Sequence, residues 1–269
     1  MNRVTAAFER LREANRAAFM PFIAAGDPTL EATEAILSAL QGRGVADLVE
    51  LGVPFSDPIA DGPTIQASYQ RSLASGVSPQ AILDMVRRLR GEGFALPVCL
   101  MVSYSLVYRP GIEAFVEAAA GAGIDGLIVP DLPADEAGPL EAALTGAGLV
   151  YVPLVAPTTT PARRQKIIAH ATGFIYCMAV TGITGQRDRL PEHLGEYVRG
   201  IRAEASVPAC VGFGISRPEH VKAVAEVADG AIVGSAIVHG IADHAADPPQ
   251  AIAQAVADLC ADLSAPLRG

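Results

Sequence analysis

Short apolar runs recur along the chain, and each gives way to a polar loop and then to a stretch with helical periodicity. The runs are Phe19–Ala24, Leu48–Val53, Pro97–Val102, Gly126–Val129, Val150–Leu154, Phe174–Ala179, Ala209–Phe213 and Ala231–Val233. Each is strand-length and is followed by loop residues such as Gly, Pro, Ser, Thr or Asp, which predicts eight strands. Between them, Leu30–Leu40, Ile112–Ala120, Ala134–Leu144, Pro161–Ala169, Pro191–Arg202 and Pro218–Val224 carry apolar residues at helical spacing. Pro161, Pro191 and Pro218 suit the first turn of a helix, where a missing N–H costs nothing. Asp27-Pro28-Thr29, Ser78-Pro79 and Thr160-Pro161 resemble N-cap signals.

The strand runs are continuously apolar and do not alternate. That pattern means burial on both faces, and therefore a parallel sheet covered by helices. Eight strand–helix units in about 250 residues match a (β/α)8 TIM barrel. The rival is an open doubly wound sheet, which normally announces a Gly-rich turn after its first strand. Here that turn is Ala24-Ala25-Gly26-Asp27-Pro28, which lacks the GxGxxG spacing. The amphipathic leader Val4–Ala17 reads as an extra N-terminal helix over the bottom of the barrel, and Gln250–Leu263 as a closing helix. No linker or low-complexity tract interrupts the sequence, so residues 1–269 are expected to form one domain.

Composition narrows the function classes. Hydrophobic residues make up 51 % of the chain, yet no run approaches the roughly 18–20 apolar residues of a membrane-spanning helix. The first residues lack a signal-peptide stretch, so a cytoplasmic location is the expectation. Net charge is −9 and Lys occurs only at Lys166 and Lys222; with no basic run, neither a nucleic-acid surface nor an anionic-membrane footprint is expected. Cys99, Cys177, Cys210 and Cys260 sit singly in apolar segments and read as buried reduced thiols. The five His residues show no HxH or HExxH spacing, so no metal is expected.

In such a barrel the chemistry lies at the C-terminal ends of the strands. Glu50 stands out there, because a carboxylate inside an apolar strand must either hold a raised pKa or find a partner. Arg hardly occurs in the strands, which disfavours a salt-bridged Glu50. A desolvated Glu can both give and take protons near neutrality. Asp61 lies on the loop that follows, between Pro58 and Gly62-Pro63; a proton-transfer partner and a turn-stabilising Asp are both open readings. Backbone N–H groups at Gly214, Gly234 and Ser235, beside a helix start, form a cradle for phosphate that needs no cationic side chain. Both lysines fall in helices, which disfavours Schiff-base chemistry. Metal-free acid–base chemistry on a small phosphorylated substrate remains.

The run Val49-Glu50-Leu51-Gly52-Val53-Pro54-Phe55-Ser56-Asp57-Pro58-Ile59-Ala60-Asp61-Gly62-Pro63-Thr64-Ile65-Gln66 closely resembles the signature of the tryptophan synthase α chain family. The resemblance extends to Met20–Pro28, Pro130–Pro133, Thr181–Gly185, Gly212–Ser216 and Val233–Val238, so it spans nearly the whole chain. It implies a lyase that cleaves indole-3-glycerol phosphate to indole and glyceraldehyde 3-phosphate. Glu50 would then protonate indole C3 and help remove the side-chain hydroxyl proton, while Asp61 would hold the ring N–H. The resemblance places Phe22, Met101, Ile128, Leu154, Tyr176 and Phe213 around the indole. It assigns Gly185, Phe213, Gly214, Gly234 and Ser235 to the phosphate. Thr181–Arg189 resembles a closing lid that carries Thr184 toward Asp61.

By the same resemblance the chain needs no cofactor of its own and works in an α2β2 heterotetramer. The partner is a pyridoxal-phosphate β chain that turns indole into L-tryptophan, facing Pro54–Asp61 and the segment after the third strand. Ser103-Tyr104-Ser105 stands where the family commonly has Tyr-Tyr-Asn or similar. A freestanding lyase that releases indole and a non-catalytic activating subunit are the alternatives. An epimerase or isomerase barrel would call for a Lys, a metal or paired Asp residues at strand tips.

Overall fold

The computed structural model describes residues 1–59, 61–179, 191, 193–212 and 214–268. Its strands are β1 (Ala18–Ala24), β2 (Val49–Gly52), β3 (Val98–Met101), β4 (Gly126–Ile128), β5 (Val150–Val152), β6 (Leu154–Val155), β7 (Ile175–Met178), β8 (Ala209–Gly212) and β9 (Gly230–Val233). The helices around them are α1 (Arg3–Glu13), α2 (Leu30–Arg43), α3 (Pro63–Ala74), α4 (Pro79–Gly91), α5 (Tyr104–Tyr108), α6 (Ile112–Ala122), α7 (Gly138–Gly146), α8 (Pro161–Ala169), α9 (Leu194–Glu204), α10 (Pro218–Ala225), α11 (Ser235–Asp243) and α12 (Pro249–Ser264).

Every strand pairing is parallel, in the order β5-β4-β3-β2-β1-β9-β8-β7-β6. The two ends of that order are neighbours in the chain, separated by Pro153 alone. One predicted strand, Val150–Leu154, is therefore two. Pro153 has no N–H to give to a ladder, so β5 pairs back to β4 while β6 pairs onward to β7. Its carbonyl still accepts from Tyr176 N at 3.0 Å. The sheet closes on itself through this break, giving the eight staves of a (β/α)8 barrel.

Alternate residues of each strand sort into two cores. Phe19, Ile23, Val49, Leu51, Leu100, Leu127 and Val211 pack outward against the helices. Met20, Phe22, Cys99, Met101, Ile128, Phe174, Tyr176 and Cys210 fill the barrel. Because side chains alternate along a strand, the outward burial of Val49 and Leu51 obliges Glu50 to point inward. All four cysteines are free and buried.

Helix α1 covers the N-terminal end of the barrel, as expected for the leader. Asn2 Nδ2 donates to Asp125 O at 2.8 Å and to Gly148 O at 2.9 Å, and Phe8 meets Phe174 with ring centroids 5.7 Å apart. The helix stops at Glu13, short of the expected Ala17, because Asn15 turns into the left-handed region at φ 49° and Arg16 N closes back on Leu11 O. Two other details differ from the sequence reading. The stretch Ala134–Leu144 divides into a 3-10 turn at Ala134–Glu136 and then α7. Pro191 lies ahead of α9, which begins at Leu194, so it is not a first-turn residue. Helix α3, which starts just after Asp61, carries the residues that matter most below. Thr29, Ser78 and Thr160 do cap α2, α4 and α8 with their side chains.

Candidate active site

Glu50 is 3 % exposed and stands in register between Phe22 of β1 and Cys99 of β3. Among the described residues neither carboxylate oxygen has a hydrogen-bond partner. Two arginines that reach buried acids are engaged away from Glu50: Arg71 grips buried Asp27 through two 2.7 Å hydrogen bonds, and Arg90 pairs with Asp125 at 2.9 Å. A salt-bridged Glu50 is thus not what the fold builds. Burial first, and the nearby Asp61 charge second, push its carboxyl up to about 8. The acid is neutral at pH 7.

Asp61 arrives on the loop between β2 and α3. Its backbone closes the turn, with Asp61 N donating to Pro58 O at 3.1 Å and Gln66 Nε2 donating to Asp61 O at 2.9 Å. The carboxylate takes no part in that turn. Burial, followed by repulsion from Asp131, raises it to about 6, so it is mostly ionised at neutrality. Asp57 contrasts with it: an exposed side chain that accepts from Ser56 Oγ at 2.6 Å. Two carboxyl groups in one mouth with separated pKa values can divide the work of proton donor and resident charge.

A cavity of about 460 Å³ opens above Glu50, lined by Phe22, Glu50, Asp61, Ile65, Met101, Tyr176, Gly214, Ile215, Gly234 and Ser235. It brings together both carboxyl groups, three of the apolar candidates and the three glycine-loop candidates. Ile128 is fully buried in the barrel core and does not line this cavity. Leu154 lines an adjoining cavity of about 1450 Å³ that also reaches Asp61 and Met101. Phe213, Thr184, Gly185 and the segment 181–189 lie outside the described residues.

One wall of the cavity is the start of α11. Gly234 precedes the helix, and the first-turn N–H groups that follow are the donors every helix leaves without internal partners. A Cβ on Gly234 would meet nothing closer than Phe22 at 3.7 Å, so the backbone there is open to a ligand. Gly214 sits at φ +79°, a conformation few other residues adopt. Among the residues lining the cavity none is Lys or Arg. Thr64 Oγ1 and His239 Nε2, 3.2 Å apart, tie the start of α3 to α11 and so link the two sides of the mouth.

The sequence reading overlooked Ile65, Ile215 and Tyr69. Ile65 and Tyr69 stand one turn apart on α3, four residues in sequence, and face the barrel together; outlining α3 from the Gly62-Pro63 start signal would have exposed the pair. Ser103, which replaces the aromatic usual in the resembled family, donates to Asp131 Oδ2 at 2.7 Å, and Tyr104 N donates to Asp131 Oδ1 at 2.8 Å. A small hydroxyl here fixes the acid that repels Asp61.

Comparison with known proteins bears on this geometry. A family profile described as "Tryptophan synthase alpha chain" matches residues 8–265. The chain belongs to the tryptophan synthase α chain family. A relative from Rhodopirellula baltica carrying that name is 48 % identical over 238 residues, covering 88 % of this chain and 85 % of the relative. One from Methanocaldococcus jannaschii is 42 % identical, covering 88 % and 84 %. The crystal structure of tryptophan synthase subunit alpha from Legionella pneumophila superposes with a TM-score of 0.90 at 36 % identity, over 100 % of this chain and 99 % of that one. A tryptophan synthase structure from Mycobacterium tuberculosis gives 0.89 at 33 %, over 100 % and 99 %. Members of this family are carbon–carbon lyases of tryptophan biosynthesis, and this chain is one of them.

The family signature includes Gly52, whose place in the fold is tight. A Cβ there would fall 2.5 Å from the Phe22 ring and 2.7 Å from Tyr69 Oη. Gly52→Ala therefore pushes the Phe22 ring and the Tyr69 hydroxyl out of place beside the cavity. The expected result is a stability loss of about 1–3 kcal/mol, read by urea unfolding, together with weaker substrate binding. A variant as stable and as active as the parent would show that the site tolerates that displacement.

Proposed function

We propose that this chain cleaves indole-3-glycerol phosphate by a retro-aldol reaction in which Glu50 moves both protons. The observation that carries the reading is a buried, unpartnered carboxyl, neutral at pH 7, at the floor of a cavity whose far wall is a glycine-edged helix start. Indole is electron-rich at C3. Protonation there by neutral Glu50 turns the ring into a cation, which ionised Asp61 stabilises at the ring N–H. The new Glu50 carboxylate, in a dry site, is a strong base. It takes the proton of the side-chain hydroxyl, the C–C bond breaks, and the electron pair returns to the ring. The products are indole and an aldehyde, with Glu50 again protonated. No imine or metal electron sink is needed, since the protonated ring is itself the leaving group.

Phe22, Met101, Leu154, Tyr176 and Phe213 form the apolar surround of the ring, with Ile128 packed in the barrel core beneath them, consistent with the mostly apolar lining of small-ligand sites. Gly185, Phe213, Gly214, Gly234 and Ser235 hold the phosphate through backbone N–H groups and the α11 dipole. Residues 181–189 act as the lid, with Thr184 closing toward Asp61 and excluding water.

The partner is a β chain in an α2β2 heterotetramer; its pyridoxal phosphate supplies the chemistry that consumes indole. Supporting this, Ile59 and Tyr108 are 84 % and 67 % exposed, in the loop after β2 and the segment after β3. Residues 1–269 act as one cytoplasmic domain. Among the described residues no helix is long and apolar enough to cross a membrane. The test is indole formation by the purified chain with and without a β chain. Slow release alone and much faster release with the partner is expected. Equal rates would mark a freestanding lyase, and no indole in either case an activating subunit without catalysis.

A further inference from the structure

The mechanism leaves one buried titratable group at the mouth without a task. Tyr69 is 3 % exposed, on the same α3 face as Ile65 and two turns beyond Asp61 in the chain. Its hydroxyl lies over Gly52, close enough that a Cβ there would stand 2.7 Å from it. Gly52 is two residues past Glu50 on β2 and shares its inward face, so the hydroxyl sits one layer above Glu50, toward the mouth. Together with Asp61, Met101 and Asp131, Tyr69 lines a cavity of about 370 Å³ that adjoins the one above Glu50. Among the described residues neither the Tyr69 hydroxyl nor the Asp61 carboxylate makes a hydrogen bond. A donor on a buried ring and a half-buried acceptor thus line one cavity, neither held by a protein partner among the described residues.

Resting on the reaction assigned above, we propose that Tyr69 is a positioning residue for Asp61: once the indole ring is bound, the Tyr69 hydroxyl donates a hydrogen bond to the Asp61 carboxylate and fixes it against the ring N–H. Burial, then the Asp61 and Glu50 charges, hold the phenol well above its ordinary value. Tyr69 therefore keeps its proton at every working pH, and toward a carboxylate it is the donor. The titratable groups facing Asp61 are Glu50 from β2, Tyr69 from α3, Asp131 after β4 and Tyr176 from β7. Of these, Asp131 disfavours its charge, and Tyr69 supplies the counterweight on α3, the helix that the Asp61 loop leads into. A hydrogen bond to the charged form of an acid lowers its pKa, so the acid limb of kcat, which reports the bound state, falls below that of kcat/KM, which reports the free one.

The experiment is the pH profile of indole formation by the full chain assembled with a β chain, for the parent and Tyr69→Phe. Phe keeps the ring and its packing, so the unfolding midpoint should be unchanged. The expected result is an acid limb of kcat raised by about one pH unit, meeting that of kcat/KM, and a roughly tenfold loss of kcat at acid pH that shrinks toward pH 8. In an Asp61→Asn background, Tyr69→Phe should cost nothing more. A parent-like profile, a uniform loss at all pH values, or additive losses with Asp61→Asn would overturn the proposal. Those outcomes leave the Glu50 chemistry standing, which fails separately if Glu50→Gln still turns over.

Discussion

Glu50→Gln is expected to lower turnover about 10³- to 10⁴-fold, at the upper end of what a single general acid–base group contributes, while substrate still binds. The magnitude follows from the proposed mechanism, in which one residue carries two transfers. Gln has no proton to place on C3 and no basic oxygen to take the hydroxyl proton, so both steps lose their agent. The two side chains have nearly the same shape, and Glu50 makes no hydrogen bond that the change could break among the described residues. Phe22, Met101, Tyr176 and the glycine loops should therefore hold the substrate much as before. Asp61→Asn should cost less and less uniformly, because it weakens a charge beside the ring but leaves proton transfer intact. Single-turnover indole release and calorimetric binding of the substrate to Glu50→Gln separate these effects. A Glu50→Gln chain that releases indole at the parent rate would sink the assignment.

How far the site could be read from the sequence depended on how each residue announces itself. Glu50 was legible because a carboxylate between Val49 and Leu51 violates the apolar pattern of its strand, and violations of that kind mark sites. Asp61 was not: an Asp beside Pro and Gly is ordinary turn chemistry, and only the long ordered match from Val49 to Gln66 singled it out. The fold shows that its backbone makes the turn while its side chain stays apart from it. Tyr69 was only half legible: the Gly62-Pro63 start signal places it beside Ile65 on one face of α3, but a Tyr at helical spacing reads as core, and the role proposed for it depends on a neighbour, Gly52, that only folding brings under it. Barrel architecture was legible because all strands are buried on both faces. The break at Pro153 was not, for it serves two pairings at once, a tertiary demand that a single run of apolar residues does not display. Pro191 failed as a helix-start signal for a related reason: Pro is equally at home in irregular chain just ahead of a helix.

The same buried acid should make the fold lose stability as the solution turns alkaline. Folding raises the Glu50 carboxyl from 4.5 to about 8, so between those pH values the native state holds a proton that the unfolded chain has released. Stability therefore falls as pH rises through this window, whereas a carboxylate depressed by a salt bridge would give the opposite slope. At about 1.36 kcal/mol per pH unit, the loss is roughly 3 kcal/mol by pH 7 and up to roughly 5 kcal/mol above pH 8. Asp61, raised from 3.8 to about 6, adds a smaller fall at lower pH, and ionising either acid makes the other harder to ionise. Glu50→Met removes the larger contribution and places an apolar side chain of similar length in an apolar barrel. Its unfolding free energy should be nearly flat from pH 6 to 9 and should exceed that of the parent by several kcal/mol at pH 9. Urea titrations across that range measure both curves. If the Met variant lost stability in parallel with the parent, the proton held at Glu50 would not be the source of the slope. If it is the source, this enzyme gives up stability in order to keep a neutral acid at the position where the proposed reaction protonates the ring.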